Sequence, residues 1–342
     1  MQRQITPSLT VTLAYVGSHG VHGEYINGDG DYTSPTGLTS AGWLWPTPVV
    51  STTTRINPNP HYDGIVVETW NSTSIFNSML AQVTQRMSHG FQIQGSFTWA
   101  RGVDDNDSVT YFGAYDASLS EQFPFVNNRA RSDFNVKDNL TVNGSWTAPK
   151  PNFSSHAMNV AVGGWVLQSI VTARTGTPFS ATISGDPLGL NNGATIDFPN
   201  CNPGAAGCTP GGVNPGNVAH YVNLSCFSLP MSTPAISSSC VAFSATLPGT
   251  CKNLLGNSGR NLLTAPGLVN VDFSVIKNHQ VTERLNAQFR AEFYNLFNKT
   301  NFNYPSSTAL YSAAGASIGG AGALTATSTN SRQIQFGLKM VW

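Results

Sequence analysis

Residues 91–99 read Phe-Gln-Ile-Gln-Gly-Ser-Phe-Thr-Trp, so apolar residues or Gly alternate strictly with uncharged polar ones. Successive side chains of a β-strand point to opposite faces, so this period of two predicts a strand with one apolar and one polar face. About 9 to 11 residues are enough for a strand to cross a membrane. The stretch therefore predicts a membrane-spanning strand that faces lipid on one side and a polar interior on the other.

The same alternation recurs along the whole chain, at residues 9–16, 79–86, 139–147, 284–293 and 333–342. A soluble β-sandwich also alternates, but its outward face is normally rich in Lys and Glu. Charged residues make up only 10% of this chain, against about 25% in typical soluble proteins. The pattern favours an all-β fold, an antiparallel transmembrane β-barrel segment with about eight spanning strands, over a soluble all-β protein.

The links between these strands alternate between short and long. Short links are predicted near residues 88–90, 149–156 and 278–283. Long loops are predicted at about residues 18–63, 102–133, 184–266 and 298–331, and the third is expected to be a structureless insertion. Outer-membrane barrels have short periplasmic turns and long extracellular loops. Residues 1–342 are therefore interpreted as one barrel portion with Trp342 on the periplasmic side.

Composition excludes several other classes of protein. No apolar run approaches the ~20 residues of a membrane-spanning helix. The 17 basic and 17 acidic residues balance, which gives no positive field for binding nucleic acid. The N-terminus lacks the apolar core of a signal peptide, and we expect neither a signal peptide nor a plug domain within residues 1–342. The seven histidines are scattered, and no catalytic set or helical metal motif is found.

Metal and cofactor sites are not predicted. Residues 104–108, Asp-Asp-Asn-Asp-Ser, are similar to the start of a calcium loop but lack its Gly at the sixth position and its Glu at the twelfth. We therefore expect no cofactor, no metal site and no enzymatic activity. Five cysteines lie in one loop-rich stretch without the paired spacing of a zinc site, which favours loop disulfides of undetermined connectivity. They are Cys201, Cys208, Cys226, Cys240 and Cys251.

A few charged residues fall on the polar side of the predicted strands. Such residues either line the lumen and tune what passes, or pair with one another inside the barrel. The candidates for lumen lining are Arg86, Arg174, Arg290, Glu292 and Lys339.

Three groups of motifs, which together cover much of the chain, resemble the C-terminal barrel of Oar-like TonB-dependent receptors. The first is QRQITP at 2–7 with AYVGSHG at 14–20, and the second is FTWAR at 97–101 with RARSDF at 129–134. The third is FRAEFYNLFN at 289–298 with RQIQFGLK at 332–339. The segments GGW at 163–165 and TGTPF at 175–179 are also similar to that family.

The resemblance implies a Gram-negative outer-membrane location and the uptake of an unidentified large substrate. Receptors of this family have barrels of about 22 strands, preceded by a signal peptide, a plug and an energy-coupling segment. The resemblance therefore implies a fragment that meets the TonB complex only through a missing plug region. The alternating C-terminus is similar to the signal that the barrel insertion machinery binds, and its residues are Phe336, Leu338, Met340 and Trp342.

Two alternatives remain open at this stage. One is a surface adhesion or binding barrel that uses its long loops, and the other is a self-contained small barrel of eight strands. The expected contacts are outer-membrane lipid and the insertion machinery.

Overall fold

The computed structural model describes residues 1–27, 35–44, 59, 61–62, 67–105, 129–149, 151–184, 198–231, 254–312 and 315–342. One short helix, α1, spans His156–Val162, and two 3₁₀ turns span Pro210–Gly212 and Leu224–Cys226. The strands are β1 Gln2–Gln4, β2 Leu9–Asn27, β3 Gly37–Thr39, β4 Gly42–Leu44, β5 Val67–Ser88, β6 Phe91–Asp104, β7 Ala130–Arg131, β8 Asp138–Thr147, β9 Trp165–Arg174, β10 Pro178–Phe179, β11 Thr182–Ile183, β12 Asn200–Cys201, β13 Phe227–Ser228, β14 Leu263–Thr264, β15 Leu268–Gln280, β16 Asn286–Tyr294, β17 Ala309–Tyr311 and β18 Gln333–Val341.

One large antiparallel sheet, the wall, dominates the structure. Its order is β1-β2-β5-β6-β8-β9-β15-β16-β18, with β7 paired to β6. Apart from the short β1 and β7, the wall contains eight long strands joined in chain order, so the predicted fold class and strand number are confirmed. Short links lie at one end of the wall and the four long connections lie at the other.

The register of the wall gathers apolar side chains on one face, because cross-strand partners point to the same side of a sheet. One apolar row runs through Leu13, Ala81, Phe97, Leu140, Ala173 and Val269. The neighbouring row on the opposite face is polar and runs through Thr12, Gln82, Ser96, Thr141, Thr172 and Asn270. Many apolar-face side chains are exposed, including Tyr15 and Met79. The period of two in the sequence therefore corresponds to a sheet with one apolar face and one polar face.

Aromatic side chains mark both ends of the apolar face. Phe91 pairs with Trp146 near the short links, and Trp99 pairs with Met79 toward the long connections. At about 3.4 Å per residue, Phe91 and Trp99 lie about 27 Å apart along β6. A strand tilt of about 40° reduces the height between these two residues to about 20 Å along the membrane normal. The two aromatic rings extend the apolar face further, so its height is comparable with the ~25 Å apolar band of a transmembrane barrel.

The strands continue beyond the predicted boundaries of the long loops. Strand β2 extends to Asn27, although a loop was expected from residue 18, and β6 extends to Asp104, although a loop was expected from residue 102. Beyond the apolar band no lipid selects alternating side chains, so the sequence pattern fades. Backbone pairing does not depend on that pattern, and β2 still pairs with β5 at His19 and Gly20.

The link between β5 and β6 is a two-residue hairpin turn. His89 has a φ of 53° and Gly90 a φ of 78°, the left-handed pair that matches the twist of antiparallel strands. A Cβ atom at Gly90 would lie 2.4 Å from the Thr147 carbonyl oxygen. Gly is therefore required here both by backbone conformation and by the neighbouring strand.

The largest buried apolar cluster belongs to the long connections. We define the loop cap as residues 178–184, 198–231, 254–266, 302–312 and 315–324. Its core includes Phe179, Val222, Leu263 and Leu310, and the last two are fully buried. Strand pairs β10–β14, β11–β17 and β12–β13 hold it together. The expectation that residues 184–266 lack structure is therefore wrong for their described part, because apolar residues distant in sequence meet there.

Candidate functional site

All four long connections contribute to the loop cap or contact it. The third and fourth connections supply its core. The first contacts it where Leu44 bridges Leu254 and the amide of Leu255 donates to the Trp43 carbonyl at 3.0 Å. The second contacts it through Arg131, at the end of β7. The cap is therefore a shared structure at the long-connection end of the wall.

An ion pair fixes the cap to the polar face of the wall. Arg260 lies in the cap and Asp104 ends β6, and their side chains are 1% and 8% exposed. Arg260 Nη2 donates to the Asp104 carboxylate and to its backbone oxygen, each at 2.7 Å. Breaking a buried pair on one side costs about 3–5 kcal/mol, since a charge is left without its partner. This contact therefore holds the cap in place.

Arg131 makes a second attachment of the cap to the wall. Its guanidinium donates to the carbonyls of Asn261, Leu262 and Leu263 and to the Thr264 hydroxyl, at 2.7 to 3.1 Å. Burial lowers the pKa of Arg131. The planar donor fork of Arg fits such a row of oxygens, which the point charge of Lys does not.

Asn261 completes this junction from the cap side. It is 3% exposed and has a φ of 55°. Its side-chain amide donates to the Arg131 carbonyl and the Asp133 carboxylate, each at 2.7 Å, and its backbone amide donates to the Ser180 hydroxyl at 2.9 Å. Asn tolerates the left-handed conformation better than most residues. The buried junction is thus well supplied with hydrogen bonds.

A cleft of about 440 Å³ lies beside this junction. Three arginines line it, namely Arg129, Arg131 and Arg260, together with Gly211 and Val213 of the cap. Arg129 is exposed and donates to the Thr73 hydroxyl at 2.9 Å. Arg129 and Arg131 are the arginines that reach the surface at this cleft, whereas Arg260 is buried against Asp104.

Two tyrosines donate hydrogen bonds within the cap. Tyr221 OH donates to the Thr264 carbonyl at 2.7 Å, and burial raises the pKa of Tyr221 to about 12. Tyr311 OH donates to the Phe227 carbonyl at 2.9 Å, and burial also raises the pKa of Tyr311. Both hydroxyls therefore remain protonated donors at neutral pH.

The structure places three of the five predicted disulfide cysteines in the cap. Cys208 and Cys226 form a disulfide that closes a sequence separation of 18 residues. Cys201 is a partly buried free thiol on β12, and burial raises the pKa of Cys201. Cys240 and Cys251 lie outside the described residues.

The predicted lumen residues separate into two groups. Arg174, Arg290, Glu292 and Lys339 all lie in the register of the polar face. Arg290 Nε donates to Gln288 Oε1, and Gln288 Nε2 donates to Asn278 Oδ1, each at 2.7 Å. Arg86 instead lies exposed near the short-link end, where its backbone amide donates to the Ser8 carbonyl at 2.8 Å.

The predicted C-terminal signal lies on the last strand of the wall. Phe336, Leu338 and Met340 share the apolar face of β18 and are exposed, and the Phe336 ring stacks on Phe289 with centroids 6.1 Å apart. Trp342 follows β18 at the short-link end.

Sequence reasoning missed the junction residues Asp104, Arg131, Arg260 and Asn261. The two residues of each contact are separated by 128 to 156 positions in the sequence, so no local sequence pattern can relate them. For the three charged residues, a signal that could have found them is charge in the loops of a chain whose charged residues are only 10% of the total.

Within the described residues, no cluster of three or more His, Cys, Asp or Glu side chains is arranged to hold a metal ion. No helix in that part of the chain has the length and apolar character to cross a membrane.

A wall with one apolar and one polar face, short links at one end and long connections at the other, defines a transmembrane β-barrel of the outer-membrane type. The chain matches the Outer membrane beta barrel domain over residues 1–335, and it belongs to that family. Its location is the outer membrane, with the short links periplasmic and the loop cap extracellular. No curated protein and no solved structure was found to match the chain.

Proposed function

We propose that this chain is the C-terminal barrel portion of a TonB-dependent receptor in a Gram-negative bacterium, and that its loop cap contributes to binding a large substrate at the cell surface. The observation that carries the proposal is a folded cap fixed to the polar face of a wall whose two outer strands each pair on one side within the described part of the chain. In this proposal the chain has no enzymatic role and contributes wall, binding surface and passage lining.

The directions of the outer strands support a larger barrel. Strand β1 is antiparallel to β2, so it runs toward the periplasmic end, as β18 does. The two outer strands therefore run in parallel and cannot be antiparallel neighbours. Among the described residues β1 pairs with β2 and β18 with β16, so the wall is open. Single-chain bacterial barrels have even numbers of antiparallel strands, and additional strands between β18 and β1 would satisfy this rule.

The same geometry argues against the small-barrel alternative. Closure with eight strands would pair β2 with β18, but β1 already occupies the edge of β2 from Thr10 to Thr12. A transport role is further supported by the polar face, where Arg290, Glu292 and Lys339 would meet a passing solute.

The experiment that tests the proposal is recovery of the native polypeptide from host outer membranes. An antibody against residues 198–231 would capture it after formaldehyde treatment of intact cells, and peptide mapping would identify the attached sequence. We expect a polypeptide larger than 36.4 kDa, with plug and energy-coupling peptides and a crosslink to TonB. A product of 36.4 kDa without them would contradict the proposal.

The adhesion alternative is favoured by one observation, the disulfide-stabilised and independently packed core of the cap. In that case the captured product would carry crosslinks to extracellular material and none to TonB. The same sample therefore separates the two functions.

A further inference from the structure

The periplasmic link between β8 and β9 contains helix α1, which lies on the outside of the wall. Trp165 begins β9 and pairs with Lys277 of β15. Lys277 also pairs with Phe289, and Phe289 pairs with Leu338, so all four residues share the apolar face. Trp165 Nε1 donates to the Ala161 carbonyl of α1 at 2.8 Å. The helix is thus attached to the face that meets lipid.

Lys277 anchors the end of the helix. Its ammonium donates to the carbonyls of Val160, Ala161 and Gly163 and lies 4.9 Å from the centre of the Trp165 ring. The last carbonyls of a helix have no partner within it and carry a partial negative charge. A cation on the apolar face of a barrel is otherwise unfavourable. Here the Lys277 ammonium donates the hydrogen bonds that the last helix carbonyls lack, and those carbonyls offset its positive charge.

A glycine turn brings α1 back to the wall. Gly164 has a φ of 75°, and a Cβ atom there would lie 2.2 Å from the Asn278 carbonyl oxygen. The Asn278 amide donates to the Gly164 carbonyl at 2.8 Å. The position of the helix is therefore fixed at both Gly164 and Lys277.

Two large apolar side chains of the helix are exposed, whereas Asn159 and Val160 are partly buried. Asn159 is partly buried, and its side chain accepts from the Phe153 amide and donates to the Phe153 carbonyl, each at 2.7 Å. Met158 and Val162 are one turn apart and are 50% and 48% exposed. The helix sequence contains no Asp, Glu, Lys or Arg. In water the exposed apolar surface of Met158 and Val162 would be hydrated, which is unfavourable.

We infer that α1 is an interfacial anchor whose Met158 and Val162 side chains insert into the periplasmic phospholipid leaflet. The helix is attached to the lipid-facing side of the wall through Trp165 and Lys277, and it lies at the end where interfacial aromatic residues are expected. In this position Met158 and Val162 would lie at the boundary between the acyl chains and the headgroups, where the apolar face of an interfacial helix is buried. The inference depends on the membrane wall and is independent of the transported substrate.

Spin-label accessibility tests this placement. The complete native polypeptide that contains this chain, with Cys201, Cys240 and Cys251 replaced by Ser and the Cys208–Cys226 disulfide kept, would be folded into vesicles of phosphatidylethanolamine and phosphatidylglycerol. One label would be placed by Met158→Cys. The matched references are Phe336→Cys, on the apolar band, and Glu283→Cys, in the aqueous turn at the same end of the wall.

We expect the label at Met158 to collide with oxygen more often than with a water-soluble nickel complex, as at Phe336, and the label at Glu283 to show the opposite preference. Nickel access at Met158 equal to that at Glu283 would overturn the inference. Spin coupling that weakens on dilution would also overturn it, because another protein copy would then cover the helix.

The anchoring role of Lys277 has its own readout. Lys277→Gln should shift the Met158 label toward nickel access while the Phe336 label stays unchanged, which shows that the wall remains folded. An unchanged Met158 label in this variant would overturn Lys277 as the anchor.

Discussion

Replacing Arg131 by Met should loosen the loop cap without unfolding the wall. The guanidinium makes five hydrogen bonds to cap oxygens. Each hydrogen bond to a charged group contributes about 1.5–3 kcal/mol, but Arg131 is partly exposed and water can replace some of its bonds. We therefore expect a loss of about 3 kcal/mol in local stability. Since 1.4 kcal/mol is a factor of ten, amide exchange in the cap should accelerate by about a hundredfold.

Hydrogen exchange followed by mass spectrometry measures this effect by peptide. The peptide spanning residues 258–266 should exchange faster in Arg131→Met, while residues 91–99 of the wall should not change. Arg131→Lys is the matched control: it keeps the charge but loses the planar fork, so an intermediate effect is expected. An exchange rate of the cap peptide close to wild type in Arg131→Met would refute the role assigned to this residue.

Three further changes probe other parts of the structure. Gly90→Ala should lower the folding yield in vesicles, because a Cβ there meets a backbone oxygen at 2.4 Å, whereas Gly95→Ala meets a side chain at 3.7 Å and should fold normally. Replacing Cys208 and Cys226 by Ser should cost the cap about 3 kcal/mol and speed its cleavage in limited proteolysis; unchanged cleavage would argue against a structural role. Burial raises the pKa of Tyr221 to about 12, so its contribution to the stability of the cap should be present below pH 10 and be lost as the pH rises toward about 12. In an ultraviolet titration, the tyrosine deprotonation step near the upper end of this range should be absent from Tyr221→Phe.

The wall could be predicted from sequence because lipid imposes a local pattern. Each membrane-spanning residue of β6 faces either lipid or the polar side, so the alternation from Phe91 to Trp99 records the fold directly. The upper parts of β2 and β5 could not be delimited in this way. Past Val16, the residues Gly17, Ser18 and His19 pair with β5 but lack the alternation.

The cap and its junction could not be predicted because they depend on contacts between distant parts of the chain. Arg260 and Asp104 are 156 residues apart, and no local motif at either position indicates which residue it will contact. The pairing of Cys208 with Cys226 was likewise one of several that five cysteines allow. Local patterns predict elements, whereas these contacts arise only from the folded arrangement.

Helix α1 was missed for a different physical reason. It has seven residues, about two turns, which is too short for a helical period to be recognised. It also lacks a distinct apolar stripe, because Met158 is exposed while Asn159 is partly buried. A short link was expected at residues 149–156, and the helix begins at the last residue of that link, His156.

The central claim is that the apolar face of the wall meets lipid and the opposite face does not. Val83 and Thr84 are adjacent in β5 and point to opposite faces, with Val83 in the row between the two aromatic ends. Urea unfolding in phospholipid vesicles should show that Val83→Arg costs about 2–4 kcal/mol near the bilayer midplane, while Thr84→Arg costs clearly less. Equal losses, or a larger loss for Thr84→Arg, would contradict the assignment of the two faces.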